Sequence, residues 1–289
     1  LRSLIEYVKD AKIVNQIVLS ERFIRVMSRL LVQIYEVQEP MEVDPLIEMG
    51  VDHIGSVVLN PEKWKDPVLK ETVESVQSAG AISSLIPLYQ DPDLIFRTAD
   101  YYRADIMHFC DDLIGSIHDL SAMDPFISLQ ERFRNRFPEV RILRSIPIPE
   151  SGVANGYPTL EVARLLEPVT DIFLTDTLMH NGDEISHDEQ PVDGFVGITG
   201  VTCDWDMAAK LTAQSRIPVI LAGGISPKNA YEAVMATRPA GVDSCTQTNA
   251  VDASGHPIRF KKDPDKVRIM IAEVRRAERD MLQMPATDE

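Results

Sequence analysis

The feature that most constrains this chain is a rhythm. From residue 31 onward, short apolar runs alternate with longer amphipathic ones, eight of each, over about 250 residues. The runs LVQIYE (31–36), HIGSVV (53–58), AISSLIP (81–87), DIMHFC (105–110), RILRSIP (141–147), DIFLTD (171–176), IPVILA (217–222) and GVDSCT (241–246) read as strands. Between and after them, patterns near 43–49, 67–79, 91–103, 125–137, 158–167, 204–214, 227–237 and 263–280 read as helices, several with Pro or Asp in the first turn. Strands alternating with helices form parallel units, and eight units are the number that closes a (β/α)8 TIM barrel. A doubly wound open sheet is the other arrangement of such units, and it carries fewer repeats. The expected fold class is α/β: a (β/α)8 barrel over residues 31–280, an N-terminal helical extension over 1–30 and a flexible tail over 281–289.

The charge balance narrows the function classes. With 45 acidic against 29 basic residues, the formal net charge is −16, and a phosphate-backbone binder would instead show a basic patch. Nucleic acid is not an expected partner. No run approaches the length of about 18 apolar residues that spans a bilayer, and no leader pattern is visible, so a cytoplasmic protein with no membrane partner is expected. Cys110, Cys203 and Cys245 are too few for a disulfide framework and lack zinc spacing.

A barrel places its chemistry at the C-terminal ends of its strands. Strand 7 runs into ILAGGISPKNA, where Gly223 and Gly224 precede a helix start, and strand 8 ends in Ser244-Cys245-Thr246-Gln247. Paired glycines let a backbone approach a ligand closely, and a helix start offers unpaired N–H groups, so these two loops form an expected phosphate cradle. The ligand implied is a phosphorylated small molecule. Strand 6 delivers Asp176 in FLTDT, either a general acid or base at the barrel mouth or a loop hydrogen-bonder. A long acidic segment follows, with His180 and His187, then Gly197 and Gly200, and Asp204 opening the next helix. Loops of that length are often lids, although its histidines have no spacing that enforces a metal site.

In order, FLTDT, Gly197-Ile198-Thr199-Gly200-Val201-Thr202-Cys203-Asp204-Trp205, LAGGISPKNA, AGVDSCTQTN and KKDPDKV resemble the C-terminal half of phosphoribosylanthranilate isomerase. QIYE and EMGVDHIG extend the resemblance to the N-terminal half, so it covers residues 31 to about 278. It implies a cofactor-free Amadori rearrangement in tryptophan biosynthesis, by a monomer or homodimer. In that reaction a general acid protonates the furanose ring oxygen and a base removes the C2′ proton. By the same resemblance Asp176 stands at the acid's position. Gly200, Gly223, Gly224, Cys245, Thr246 and Gln247 stand where the substrate phosphate is held.

The departures lie at substrate-facing points. The family's strand-1 base is a cysteine, and Tyr35 stands in its place, a phenol whose ordinary pKa of about 10 makes it a poor base. Cys245, on the strand that closes against strand 1, and Glu36 at the tip of strand 1 are the candidate replacement bases. The family's strand-2 arginine, which pairs with the anthranilate carboxylate, is replaced by Trp64, flanked by Lys63 and Lys65. Strand 4 reads His108-Phe109-Cys110-Asp111 where the family has Gln-Leu-His-Gly, so His108, Cys110 and Asp111 join Trp64 as expected substrate-mouth residues. These side chains can hold a metal only if they converge, and none is expected. An altered substrate, a lyase or aldolase-like reaction on another phosphorylated compound, and a non-catalytic phosphometabolite-binding paralogue therefore stay open beside the isomerase.

Overall fold

The computed structural model describes residues 29–113, 115, 119–152, 157–181, 184–185 and 192–283. The expected N-terminal helical extension falls almost wholly outside these residues, as does the tail beyond Gln283. Eight parallel strands close into one barrel. They are β1 (Leu31–Ile34), β2 (His53–Val58), β3 (Ile82–Pro87), β4 (Ile106–Phe109), β5 (Arg141–Pro149), β6 (Ile172–Leu178), β7 (Val219–Leu221) and β8 (Gly241–Ser244). Each pairs with its neighbours in sequence, and β8 returns to β1 with Gln33 opposite Asp243. Among the described residues eight α-helices follow in turn: α1 (Val43–Met49), α2 (Pro67–Ser78), α3 (Pro92–Tyr102), α4 (Asp124–Arg136), α5 (Thr159–Leu166), α6 (Trp205–Gln214), α7 (Ala230–Thr237) and α8 (Pro264–Gln283).

Local chemistry sets these boundaries. Asp66, Asp91 and Asp263 each precede a proline, and each carboxylate accepts backbone N–H bonds from the first turn it caps. Proline contributes no N–H there and already has the helical φ, so Asp-Pro both starts the helix and satisfies its end. At the other end of α8, the helix runs three residues past the expected boundary at 280.

Alternate strand residues face opposite sides of a barrel wall. The outward set, including Val32, Ile34, Ile54, Ile146, Phe173 and Val242, packs under the helices as the main hydrophobic core. The inward set is divided. Low on β4 to β7 it is apolar, with Ile106, Leu143, Ile172, Leu174, Ile220 and, just past β7, Ala222 in one cluster, while His108, Ser145 and Asp176 follow toward the mouth. Toward β8, β1 and β2 it is polar. Gln33 Nε2 donates to Asp243 Oδ1 at 3.2 Å, and His53 Nδ1 lies 3.2 Å from Gln33 Oε1.

Two antiparallel ribbons decorate the mouth. His180–Asn181 pairs with Glu184–Ile185 after β6, and Asn249–Val251 pairs with Pro257–Lys262 after β8. Most of the acidic loop between 182 and 191, where a lid is expected, lies outside the described residues.

Candidate active site

A cavity of about 650 Å³, including its open mouth, lies at the C-terminal end of the strands. Its wall brings together Tyr35, Glu36, His108, Cys110 and Asp176 with Gly200, Gly223, Gly224, Cys245, Thr246 and Gln247. Residues spread over more than 200 positions of sequence thus share one space, because closing the barrel sets β8 beside β1.

The glycines are required by crossing backbones. Gly223 and Gly224 have φ of 88° and 63°, in the left-handed region. A methyl group on Gly223 would sit 2.5 Å from Thr177 Oγ1, and one on Gly224 2.6 Å from the Val201 carbonyl carbon. The 197–204 segment therefore lies directly over the end of β7. Side chains tie it down: Thr177 Oγ1 donates to the Val201 carbonyl at 2.6 Å and Gln247 Nε2 to the Gly200 carbonyl at 2.8 Å. Thr246 and Gln247 belong to a 3-10 turn, Thr246–Thr248. From the ribbon, the Lys262 ammonium donates to the Cys245 carbonyl at 3.1 Å and to Asn249 Oδ1 at 2.6 Å, anchoring that turn from behind. The result is a shallow cup of backbone, amide and hydroxyl groups at the mouth of β7 and β8.

Asp176 projects from β6 into the same cavity. Burial raises its carboxyl to about 7, against the smaller opposing effect of the N–H of Thr177, which donates to Oδ1 at 3.0 Å. Gly197, at φ 102°, covers it so closely that a side chain at this position would fall on the carboxylate. A carboxyl held near neutrality can be protonated or ionised at working pH, which suits proton transfer.

Of the expected bases in the cavity, Tyr35 and Cys245 are held neutral and Glu36 is ion-paired. Tyr35 packs its ring on Gly55, where a Cβ would collide with it. Its hydroxyl lies 2.5 Å from Ser84 Oγ and 2.8 Å from His108 Nδ1, while His108 Nε2 lies 2.8 Å from Ser145 Oγ. This relay joins β3, β1, β4 and β5 across the barrel. Burial drives the Tyr35 phenol well above its ordinary pKa and His108 down to about 3. Both are therefore neutral, so the phenol at the family's base position is a hydrogen-bonded core group. Burial likewise raises the Cys245 thiol far above its ordinary value, and the Cys110 thiol with it. Glu36, at φ 63° and 1% exposed, accepts from Arg259 Nε at 2.6 Å. It is an ion-paired acid beneath the ribbon.

Two expected mouth residues sit elsewhere. Trp64 packs edge-on against Tyr101, with Lys65 and Arg97 over its ring, and does not line the cavity. Asp111 accepts from the fully buried Arg144 at 2.6 Å and likewise stands outside the wall. A strand-end position in the sequence does not specify on which side of the barrel wall a side chain falls. Asp243 was not among the expected site residues, yet it lines the cavity, 6% exposed. Burial first, then the charge of Asp176, raises its carboxyl to about 8, with Gln33 and Lys262 opposing. The available signal was its parity: two residues before Cys245, it shares that residue's face of the strand.

The structure is thus a closed parallel (β/α)8 barrel whose mouth brings a backbone cup after its seventh and eighth strands and a buried acid on its sixth into one cavity. The family model of N-(5′-phosphoribosyl)anthranilate isomerase matches residues 159–271, which hold β6 to β8. Over that segment the chain is similar to the phosphoribosylanthranilate isomerase family. It is 36% identical over 138 residues to N-(5′-phosphoribosyl)anthranilate isomerase of Methanocella arvoryzae, a match spanning 48% of this chain and about half (52%) of that relative. To the Methanosarcina acetivorans enzyme of the same name it is 25% identical over 249 residues, 84% of this chain and 92% of that one. In fold it resembles the phosphoribosyl anthranilate isomerase of Thermotoga maritima, with a TM-score of 0.58 at 16% identity, covering 86% of this chain and 99% of that one.

Proposed function

We propose that the protein is a phosphoribosylanthranilate isomerase, catalysing the Amadori rearrangement of a phosphoribosylated arylamine in tryptophan biosynthesis. The observation that carries this reading is one cavity holding both the Gly223–Gly224 cup and a buried Asp176 carboxyl raised to about 7. The cup receives the phosphate through backbone N–H groups. Among the described residues, the charged groups of the wall are Glu36, Asp176 and Asp243, all acidic. Asp176 and Asp243 hold protons near neutrality, which lessens their repulsion of a bound phosphate.

Asp176 protonates the furanose ring oxygen as the C1′–O bond breaks, and the amine nitrogen closes an iminium at C1′. Loss of the C2′ proton and ketonisation complete the isomerisation. A phosphorylated small molecule is the partner, and a cytoplasmic monomer or homodimer is the form that goes with this reading. A phosphoribosyl anthranilate isomerase of known structure has been seen in complex with reduced 1-(o-carboxyphenylamino)-1-deoxyribulose 5-phosphate, so the same compound is a suitable binding probe. Purified protein is expected to turn over phosphoribosylanthranilate, and the gene to rescue a tryptophan-requiring strain lacking this step. Tight binding of the reduced product analogue without turnover would replace this reading with a non-catalytic binding role.

A further inference from the structure

We propose that Asp243 is the base that removes the C2′ proton, taking over from the cysteine that the family carries on strand 1 and working opposite Asp176. The proposal rests on the isomerase reading and supplies its missing group.

The geometry reaches Asp243 by position and by the state of its neighbours. The family's base projects from β1, and the strand hydrogen-bonded to β1 across the barrel seam is β8. Asp243 faces the interior there, in register with Gln33, and lines the cavity with Asp176. Of the other acid–base groups of the wall, Tyr35 and His108 are engaged at every side-chain polar atom and Glu36 through one oxygen. The Tyr35 hydroxyl is held by Ser84 and His108, both ring nitrogens of His108 are in hydrogen bonds, and Glu36 is paired with Arg259. The Cys110 and Cys245 thiols are neutral by burial. Asp243 differs in being aimed. Gln33 Nε2 donates to its Oδ1, and His53 beneath fixes the Gln33 amide, which leaves Oδ2 as the oxygen presented to a substrate.

The groups acting on Asp243 are Gln33 from β1, His53 below it, Asp176 from β6 and Lys262 from the ribbon, with Tyr35 and Cys245 at its rim. His53, lowered to about 4 by burial, is neutral. Burial raises both carboxyls, and the charge of Asp176 adds to the rise of Asp243; the working form is the one in which Asp176 carries a proton and Asp243 is ionised. In that form Asp176 delivers its proton to the ring oxygen, which becomes the C4′ hydroxyl. Asp243 then takes the C2′ proton. The C2′–H electron pair becomes the C1′=C2′ bond, and the iminium π electrons return to nitrogen. In ketonisation the enol O–H proton returns to Asp176, and C1′ receives the proton held by Asp243. Both carboxyls are restored with no oxidant, reductant or metal consumed.

The experiment compares wild type, Asp243→Asn, Asp243→Glu, Tyr35→Phe and Cys245→Ala on phosphoribosylanthranilate, unlabelled and deuterated at C2′. Absence of turnover by wild type would remove the isomerase reading itself, and the base assignment with it. With wild type active, Asp243→Asn is expected to lower kcat by about 1,000-fold while still binding the reduced product analogue. Its residual rate should lose the rise with pH expected of wild type as Asp243 ionises, and Asp243→Glu should regain part of kcat. Tyr35→Phe and Cys245→Ala are expected to lose less of kcat than Asp243→Asn and to keep its pH dependence and isotope effect. Asp243→Asn within about ten-fold of wild type with an unchanged pH profile and isotope effect would overturn the assignment. So would a Cys245→Ala variant as inactive as Asp243→Asn.

Discussion

Burial holds the Asp176 and Asp243 carboxyls above their ordinary range, at a cost in stability once they ionise. A carboxyl whose folded pKa lies above its unfolded value of about 4 binds more protons in the native state. Its contribution is therefore fully present below about pH 4 and is lost as pH rises through about 7 for Asp176 and about 8 for Asp243. For Asp176 the loss is on the order of 4 kcal/mol. Asp176→Asn removes the titration, so thermal melts should show a higher midpoint than wild type at pH 8.5 and little difference at pH 4. The same variant should lose about 100- to 10,000-fold in kcat, the usual range for a missing general acid. A midpoint lowered at both pH values would show that the carboxyl holds the fold together. Glycine works by the opposite route, through what is absent. Gly224→Ala would press a methyl against the Val201 carbonyl at a positive φ. Steady-state kinetics should show KM raised about ten-fold or more, with a smaller change in kcat.

Among the elements, the ribbon Asn249–Val251 with Pro257–Lys262 does more than decorate the mouth. Lys262 is 7% exposed and holds the turn that presents Thr246 and Gln247, while Arg259 neutralises Glu36 beneath it. Removing one partner of a buried charge-assisted bond costs about 1–3 kcal/mol, because the remaining carbonyl and amide oxygens stay desolvated. Lys262→Met is therefore expected to lower stability by that amount in urea unfolding. It should also weaken inorganic phosphate as a competitive inhibitor. Unchanged phosphate inhibition in a destabilised variant would show that the ribbon supports the fold alone.

At the scale of the molecule, the barrel shares its stability between an apolar shell under the helices and a lumen that is polar on one side. The net charge of −16 acts on this whole. Like charges spread over one surface repel in the compact state, and salt screens them over a Debye length of about 10 Å at 0.1 M. The melting midpoint should rise between about 0.05 and 0.5 M sodium chloride and then level off. A midpoint that falls over that range would mean that attractive ion pairs, such as Arg136 with Asp100 and Arg134 with Asp171, outweigh the repulsion. Among the described residues no helix is long and apolar enough to cross a membrane.

Much of this was legible in the residues alone. Strand and helix spacing, Asp-Pro starts at 66, 91 and 263, and the glycine pair at 223 are local in origin, so they can be read along the chain and end within a few residues of where they are observed. Asp176 was legible for the same reason, standing at the end of an apolar run. What the sequence could not determine depends on closure. Trp64 and Asp111 have mouth positions in sequence, yet one packs on α3 and the other pairs with Arg144, because a strand-end side chain faces the lumen or the helices according to the register of the finished barrel. Tyr35, Ser84, His108 and Ser145 become one relay only when four strands curve to bring them within hydrogen-bond reach. Asp243 becomes a candidate base only when β8 meets β1 and burial removes the water that would ionise it. The sequence by itself determined a barrel with a glycine pair and an acid at the ends of its strands. Tertiary structure alone decided which acidic group faces that acid, because desolvation and proximity belong to the closed barrel and to no segment of it.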